Sequence, residues 1–288
     1  MRALVIVNPI AGPRRNRGAA RADLARRVLG HGTEIVLTQR AGHAEELARQ
    51  AAAEHYDVVF AWGGDGTINE VARGLAFTDT ALALVPAGSG NGLARALGVP
   101  LRPAAALAHA VHRPARPIDT GSLGGRFFVN VAGVGLDAEI AARFGGAGSR
   151  RGALPYVSIA LQAGLRYRPI EYTIHLADDR FTARALIVAL ANSPQYGNGA
   201  IVAPRAALDD GLLDLVVVHD RSLFGRLAGA SRLFTRTLHR ATGVVMRQVT
   251  RVTIEATVPL RFHADGDAFE AGSRLEGTVH PGALKIRA

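Results

Sequence analysis

The chain has 288 residues, 48% hydrophobic and 20% charged, the balance of an ordinary folded protein with material for two domains or one large one. It has no cysteine, which excludes disulfides and thiolate metal sites. The net charge of +10, carried almost wholly by arginine with Lys285 the single lysine, favours contact with phosphate, whether of nucleotide, nucleic acid or an anionic lipid surface.

The first apolar run, Ala3–Val7, stops at Asn8-Pro9. That is too short for the apolar region of a signal peptide. No uncharged run approaches the ~20 residues that a membrane-spanning helix requires, so a cytoplasmic location is expected. Ala3–Val7 reads as a buried strand followed by a Pro/Gly/Arg loop from Asn8 to Gly18, then by a helix through Leu24 and Val28. Glu34–Thr38 is a second strand, Ala44–Glu54 a helix and Asp57–Ala61 a third strand. Gly63–Thr67 opens a helix through Val71 and Leu75, and Ala81–Val85 is a fourth strand. Strands alternating with helices at this spacing predict a parallel sheet, which binds ligands at the carboxyl ends of its strands.

Past Asp119 the texture changes to short β-rich segments: Phe127–Val131, Tyr172–Leu176, Ala185–Ala191, Leu213–Val218, Val249–Glu255 and Leu260–Ala264. A helical insertion near Leu154–Arg166 and a helical stretch over Ser222–Leu238 interrupt them. A largely antiparallel second domain is predicted, with the first domain over 1–120 and the second over 121–278.

Trp62-Gly63-Gly64-Asp65-Gly66-Thr67-Ile68-Asn69-Glu70 follows a strand and opens a helix. Glycines let backbone N–H groups approach a phosphate closely, and the helix N-terminus adds partial positive charge. An aspartate in such a turn repels phosphate unless it binds a cation or orients a side chain, so a magnesium-linked role suits Asp65. Alone, the stretch reads equally well as a tight turn capped by Thr67. Pro86-Ala87-Gly88-Ser89-Gly90-Asn91-Gly92 is another such turn, and so is Asn8-Pro9-Ile10-Ala11-Gly12. Three in series on one sheet edge argue for a nucleotide site.

Together these stretches resemble the diacylglycerol kinase catalytic-domain family, which includes bacterial lipid kinases, sphingosine kinases and ceramide kinases. Further landmarks in the same order are Thr38 before Ala41-Gly42-His43-Ala44, then Asp119 before Phe128–Ala138. Ala203-Pro204 before Leu208-Asp209-Asp210-Gly211-Leu212-Leu213-Asp214 comes next, and Asp265-Gly266-Asp267 is last. The resemblance spans essentially the whole chain. It implies an ATP-binding α/β domain of the NAD kinase/diacylglycerol kinase type, joined to an all-β sandwich-like domain, with the lipid headgroup reacting in the cleft between them. It implies that segment 279–288 returns to the first domain. By the same resemblance Asn8, Thr38, Gly63, Gly64, Asp65, Gly66, Thr67, Asn69, Glu70, Gly88, Ser89 and Asn91 meet the nucleotide. Backbone carbonyls of Ala207 and Leu212 with the Asp210 carboxylate would hold Mg2+, a hard cation that takes oxygen ligands. Without the resemblance, Asp209-Asp210-Gly211 would read as a hairpin turn.

Phosphoryl transfer to an alcohol calls for a carboxylate that accepts the hydroxyl proton. The family carries it on Asp-Gly-Glu; here the motif is Asp265-Gly266-Asp267, so Asp267 is the first choice of base, Asp265 the second, and Asp65 the metal and phosphate partner. Two other departures are Pro13 where many bacterial members have lysine, with Arg14 and Arg15 beside it, and Gly92 in place of an aspartate. The expected function is ATP-dependent phosphorylation of diacylglycerol or a related lipid alcohol (a sphingoid base, ceramide or phosphatidylglycerol). The alternatives are a kinase of a soluble alcohol, as in NAD kinases, and a nucleotide- or lipid-binding sensor with impaired catalysis.

The lipid would be met at a membrane surface. Phe224, Leu227, Phe234 and Leu238 fall near one helical face while Arg232, Arg236 and Arg240 recur every four residues, as in helices that lie on anionic bilayers. The same stripe reads equally as an ordinary helix packed on the sandwich. The basic loop Arg143–Arg151 is a second membrane candidate. No nucleic-acid module is recognisable, so nucleic acid is not an expected partner. A homodimer is left open.

Overall fold

The computed structural model describes residues 1–12, 18–144, 164 and 167–288. Pro13, Arg14 and Arg15, the insertion over 154–166 apart from Gly164, and the loop beyond Phe144 lie outside the described residues. The chain divides into two compact units: Met1–Ile118 with Gly282–Ala288, and Asp119–Pro281.

In the first unit β1 (Ala3–Val7), β2 (Glu34–Leu37), β3 (Val58–Gly63) and β4 (Ala81–Pro86) form a parallel sheet in the order β2-β1-β3-β4. Parallel strands packed on both faces read as continuous apolar runs, and every residue of β3 and β4 is buried. The connecting helices are α1 (Gly18–Leu29), α2 (His43–Ala53), α3 (Asp65–Leu75), α4 (Gly92–Ala96) and α5 (Pro103–His112). Pro103 stands at the start of α5, where a missing N–H costs nothing; the alanine-rich pattern behind it shows little amphipathic contrast, and the sequence reading passed over it. The end of the last strand, Arg274–Arg287, runs parallel beside β4 with Ile286 opposite Leu82.

The second unit is antiparallel. Its strands are β5 (Arg116–Leu123), β6 (Arg126–Phe128), β7 (Val131–Gly135), β8 (Ile170–His175), β9 (Arg180–Ala191), β10 (Gln195–Gly197), β11 (Ala200–Ile201), β12 (Leu213–His219), β13 (Val244–Val249), β14 (Arg251–Glu255), β15 (Leu260–Ala264), β16 (Asp267–Ala271) and β17 (Arg274–Arg287). The twelve-residue β9 pairs with β8 over its first half and with β7 and β12 over its second. One core of Phe128, Tyr172, Ile174, Leu190, Leu215, Ile254 and Phe262 fills the inner face. Helix α6 (Leu136–Phe144) packs on β7 and β15, and α7 (Leu223–Phe234) follows β12.

Two strands differ from the expectation. Phe127–Val131 is not continuous: β6 ends at Phe128 and β7 begins at Val131, because the Asp265 carboxylate takes the N–H groups of Val129, Asn130 and Val131 at 2.7, 2.8 and 3.0 Å. Val249–Glu255 is likewise two strands, broken at Thr250, whose carbonyl accepts the Val279 N–H. The stretch Ser222–Leu238 holds a helix only to Phe234. Leu238 is buried with Val131, Ala189 and Val216, and Leu233 packs on the same cluster, so these two leucines face the sandwich. Phe234 is exposed. The side chains of Phe224 and Leu227 lie outside the described residues.

Candidate active site

The three glycine-rich turns of the first unit follow β1, β3 and β4 and meet at the carboxyl edge of the sheet. Asn8 Nδ2 donates to Thr67 Oγ1 at 2.9 Å, linking the first turn to the second. Asp65, the first residue of α3, receives the Asn91 N–H on Oδ2 at 2.8 Å and the Gly92 N–H on Oδ1 at 2.7 Å, linking the second turn to the third. A Cβ on Gly88 would lie 2.8 Å from Gly64 Cα, and one on Gly90 would lie 2.7 Å from Asp65 Oδ2. A side chain at Gly88 would therefore force the two turns apart. The Thr38 N–H bonds the Val7 carbonyl, which fixes Thr38 just past β2 at the same edge. Ser89 and Gly66 are exposed there.

Gly64 caps α3 without a side-chain hydrogen bond, so the first-turn N–H groups of that helix have no intrahelical acceptor and favour an anion. Asn69 and Glu70 are engaged elsewhere. Asn69 is buried and accepts from the Arg73 guanidinium. The Glu70 carboxylate takes the N–H groups of Gly42 and Ala44 at 3.0 and 3.1 Å, serving as the acidic cap of α2 from a distant part of the chain. Arg21, which the sequence reading did not single out, donates to the carbonyls of Asn8 and Ala11 at 2.6 Å each and holds the first turn from α1.

In the second unit Asp265 and Gly266 connect Ala264 of β15 to its ladder partner Asp267 of β16. Their φ angles of +49° and +92° fit the two-residue hairpin turn that Asp-Gly favours. The Asp265 carboxylate is spent on the three N–H groups between β6 and β7, whereas Asp267 is exposed at the head of β16. Ala207, Asp210 and Leu212 share another loop. It is pinned by Asp119, which donates its N–H to the Leu208 carbonyl and accepts the Gly211 N–H on Oδ2, both at 2.6 Å. Asp210 Oδ1 accepts the Leu212 N–H, and Oδ2 accepts from Gln248. Asp214, buried at the start of β12, has its carboxyl pushed up to about 6 by burial first and by the Asp210 charge second. Among the described residues no cluster of three or more His, Asp or Glu side chains is arranged to hold a metal ion.

The family profile of the diacylglycerol kinase catalytic domain matches residues 2–123, and that of the YegS C-terminal NAD kinase beta sandwich-like domain matches residues 130–288. The chain belongs to the diacylglycerol kinase family. It is 32% identical to a probable lipid kinase YegS-like of Pseudomonas aeruginosa, over 94% of this chain and 89% of that one. It is 30% identical to the diacylglycerol kinase of Bacillus subtilis, over 96% and 92%. The fold matches the crystal structure of a putative diacylglycerol kinase from Bacillus anthracis with a TM-score of 0.84 at 22% identity, covering 99% and 94% of the two chains. An NAD kinase from Archaeoglobus fulgidus in complex with ATP shares the fold more distantly, with a TM-score of 0.57 at 14% identity over 100% and 94%. Membership of this family makes the chain an enzyme of the kinase class, built from an N-terminal α/β domain with a parallel sheet and a C-terminal β-sandwich domain. No helix among the described residues is long and apolar enough to cross a membrane.

Proposed function

We propose that the protein transfers the γ-phosphoryl group of ATP to the hydroxyl of a lipid alcohol, with diacylglycerol the first candidate. The observation that carries this reading is the direct packing of the Gly64 turn against the Gly88 turn under the Asp65 carboxylate. It gathers short-side-chain backbone and a helix N-terminus at one sheet edge, the arrangement that holds polyphosphate. The full-length likeness to relatives named lipid kinase and diacylglycerol kinase supplies the acceptor class.

Asp267 is the proposed base: its carboxylate accepts the proton as the lipid oxygen forms its bond to the γ-phosphorus, while the bond to the β–γ bridging oxygen breaks and ADP leaves. Asp265 is a positioning residue, because its oxygens already hold three backbone N–H groups. The Asp210 loop suits Mg2+. The Asp210 carboxylate and the carbonyls of Ala207 and Leu212 are hard oxygen donors, and the raised Asp214 beside Asp210 marks negative charge that a cation would offset. Bound there, Mg2+ would hold the loop's charge in check. At the membrane, exposed Phe234 with Arg232, Arg236 and Arg240 around the end of α7 is the proposed contact with an anionic bilayer, placing the enzyme peripherally on a cytoplasmic face.

The test is incubation with γ-labelled ATP and Mg2+ in the presence of diacylglycerol vesicles, ceramide vesicles, NAD and glycerol. Label in a lipid product supports the reading. Label only in a water-miscible product overturns it, and tight ATP binding with no product from any acceptor favours a sensor.

A further inference from the structure

His263 is buried to 3% exposure in the middle of β15. Strand alternation places Leu260, Phe262 and Ala264 in the main core of the second unit and puts Arg261 and His263 on the opposite face, under α6. An imidazole so enclosed must find hydrogen-bond partners. Its Nε2 lies 3.1 Å from Asp137 Oδ2, which also accepts the Tyr196 hydroxyl at 3.1 Å, while Asp137 Oδ1 takes the Ala138 N–H. The approach is possible only because residue 133, across the ladder from His263, is glycine; a Cβ there would stand 2.8 Å from Asp137 Oδ2.

The chemistry of this pair fixes the imidazole. A carboxylate only accepts, so Nε2 carries the hydrogen, and the Gly266 N–H directed at Nδ1 makes that nitrogen the acceptor with its lone pair. That lone pair receives the Gly266 N–H at 3.4 Å, a long bond. Gly266 is the second residue of the hairpin turn and immediately precedes Asp267. The turn is therefore held twice, once by Asp265 to the 129–131 backbone and once by His263 to Gly266.

We propose that His263, with its tautomer set by Asp137, is a positioning residue that acts through the Gly266 N–H to aim Asp267 in phosphoryl transfer. The proposal rests on the assignment of Asp267 as the base. It accounts for a buried Asp–His–Tyr cluster at a β-core position, where an apolar residue would pack at lower cost.

Two near-isosteric substitutions separate this role from a structural one. In His263→Asn the side-chain oxygen falls near the Nδ1 position and keeps an acceptor for Gly266. In His263→Gln the amide nitrogen falls near Nε2 and keeps the donor to Asp137. Turnover and the KM for ATP and lipid would be measured for both, with thermal unfolding and hydrogen exchange of the Gly266 amide in the whole chain. The expected result is that His263→Gln folds normally, exposes the Gly266 amide to faster exchange and loses kcat by about 10- to 100-fold, the scale of a displaced catalytic group. KM would stay unchanged. His263→Asn would melt lower yet keep kcat and Gly266 protection. Wild-type kcat in His263→Gln, or equal loss in both variants in proportion to their stability, would overturn the proposal. Asp267→Asn is run alongside: undiminished turnover there would remove the base assignment itself, an outcome distinct from any behaviour of the His263 pair.

Discussion

Asp65 and Asn91 stand 26 positions apart on successive glycine-rich turns, and the Asp65 carboxylate accepts the Asn91 N–H at 2.8 Å. Asn91 itself sits at φ +51° and is buried, with its side chain bonded to both the N–H and the carbonyl of Gly88. Asp65 is therefore the tie that gives the third turn its shape, in addition to any role it takes toward a cation. Asp65→Ala leaves the Asn91 and Gly92 N–H groups without their acceptor. Phosphoryl transfer is expected to fall by at least about 100-fold, on the scale of a lost preorganised contact, with a stability cost of about 1–3 kcal/mol. Kinetics and thermal unfolding of the same preparation check this; near-normal turnover would remove Asp65 from the site.

Asp265 and Asp267 are two residues apart and should respond in opposite ways. Asp265→Ala strands the N–H groups of Val129, Asn130 and Val131, and the expected loss of stability is about 2–4 kcal/mol. Asp267 is exposed, where even an ion pair is worth no more than about 1 kcal/mol, so Asp267→Asn should shift stability by that much at most while lowering turnover by about 10²–10⁴-fold. Denaturant unfolding curves set against kcat for the two variants decide the assignment. A variant of Asp267 that unfolds readily but turns over normally would reverse it.

The α/β half was legible because its signals are local. Ala3–Val7 and Ala81–Val85 are apolar runs that each stop at a proline within two residues, and the turn at Gly63–Thr67 announces both a strand end and a helix start. What escaped the sequence depends on partners far along the chain. Nothing near Phe127–Val131 tells that a carboxylate 135 residues away breaks the strand at Asn130. Likewise Glu70, which reads as the end of a phosphate motif, is drawn off to cap α2. His263 looked like one residue of a β-run, because the Asp137 that engages it lies on a helix with no strong pattern of its own.

The Glu70 finding makes a prediction of its own. Glu70→Gln keeps one acceptor oxygen for the α2 N–H groups but removes the charge, and Glu70→Ala removes both. Stability should fall by about 0.5–2 kcal/mol for the alanine variant, the usual worth of an N-cap, and by less for glutamine. Since the carboxylate faces α2, the KM for ATP should change little in the glutamine variant. A large rise in KM with unchanged stability would return Glu70 to the nucleotide.

Asp214 supplies a pH signature. Its carboxyl is pushed up to about 6 from 3.8, by burial and then by the Asp210 charge, so the folded state disfavours its ionised form. The sign follows: this group's contribution to stability is fully present below about pH 4 and is lost as pH rises through about 6, by up to about 3 kcal/mol. Asp214→Asn should therefore be stabilising relative to wild type at pH 7.5 and close to neutral at pH 4. A cation near Asp210 lowers the same cost, so Mg2+ should shrink the advantage at pH 7.5 and chelation restore it. Unfolding temperatures of both proteins across pH 4–8, with and without Mg2+, check the sign; an advantage that grows toward acid would contradict it.

The end of α7 makes the proposed membrane contact testable. Leu233 and Leu238 are committed to the sandwich, which leaves exposed Phe234 as the apolar element beside Arg232, Arg236 and Arg240 among the described side chains. An aromatic ring entering the interface and arginines at about 1 kcal/mol each near an anionic surface should act together. Phe234→Ser is expected to weaken binding to phosphatidylglycerol vesicles about tenfold or more and to change the unfolding temperature little, because the ring is largely exposed. Arg236→Glu with Arg240→Glu should weaken it further and flatten its salt dependence, since fewer screened attractions remain. Vesicle co-sedimentation at 50 and 300 mM salt measures both effects. Wild-type binding by both substituted proteins would move the docking face elsewhere on the molecule.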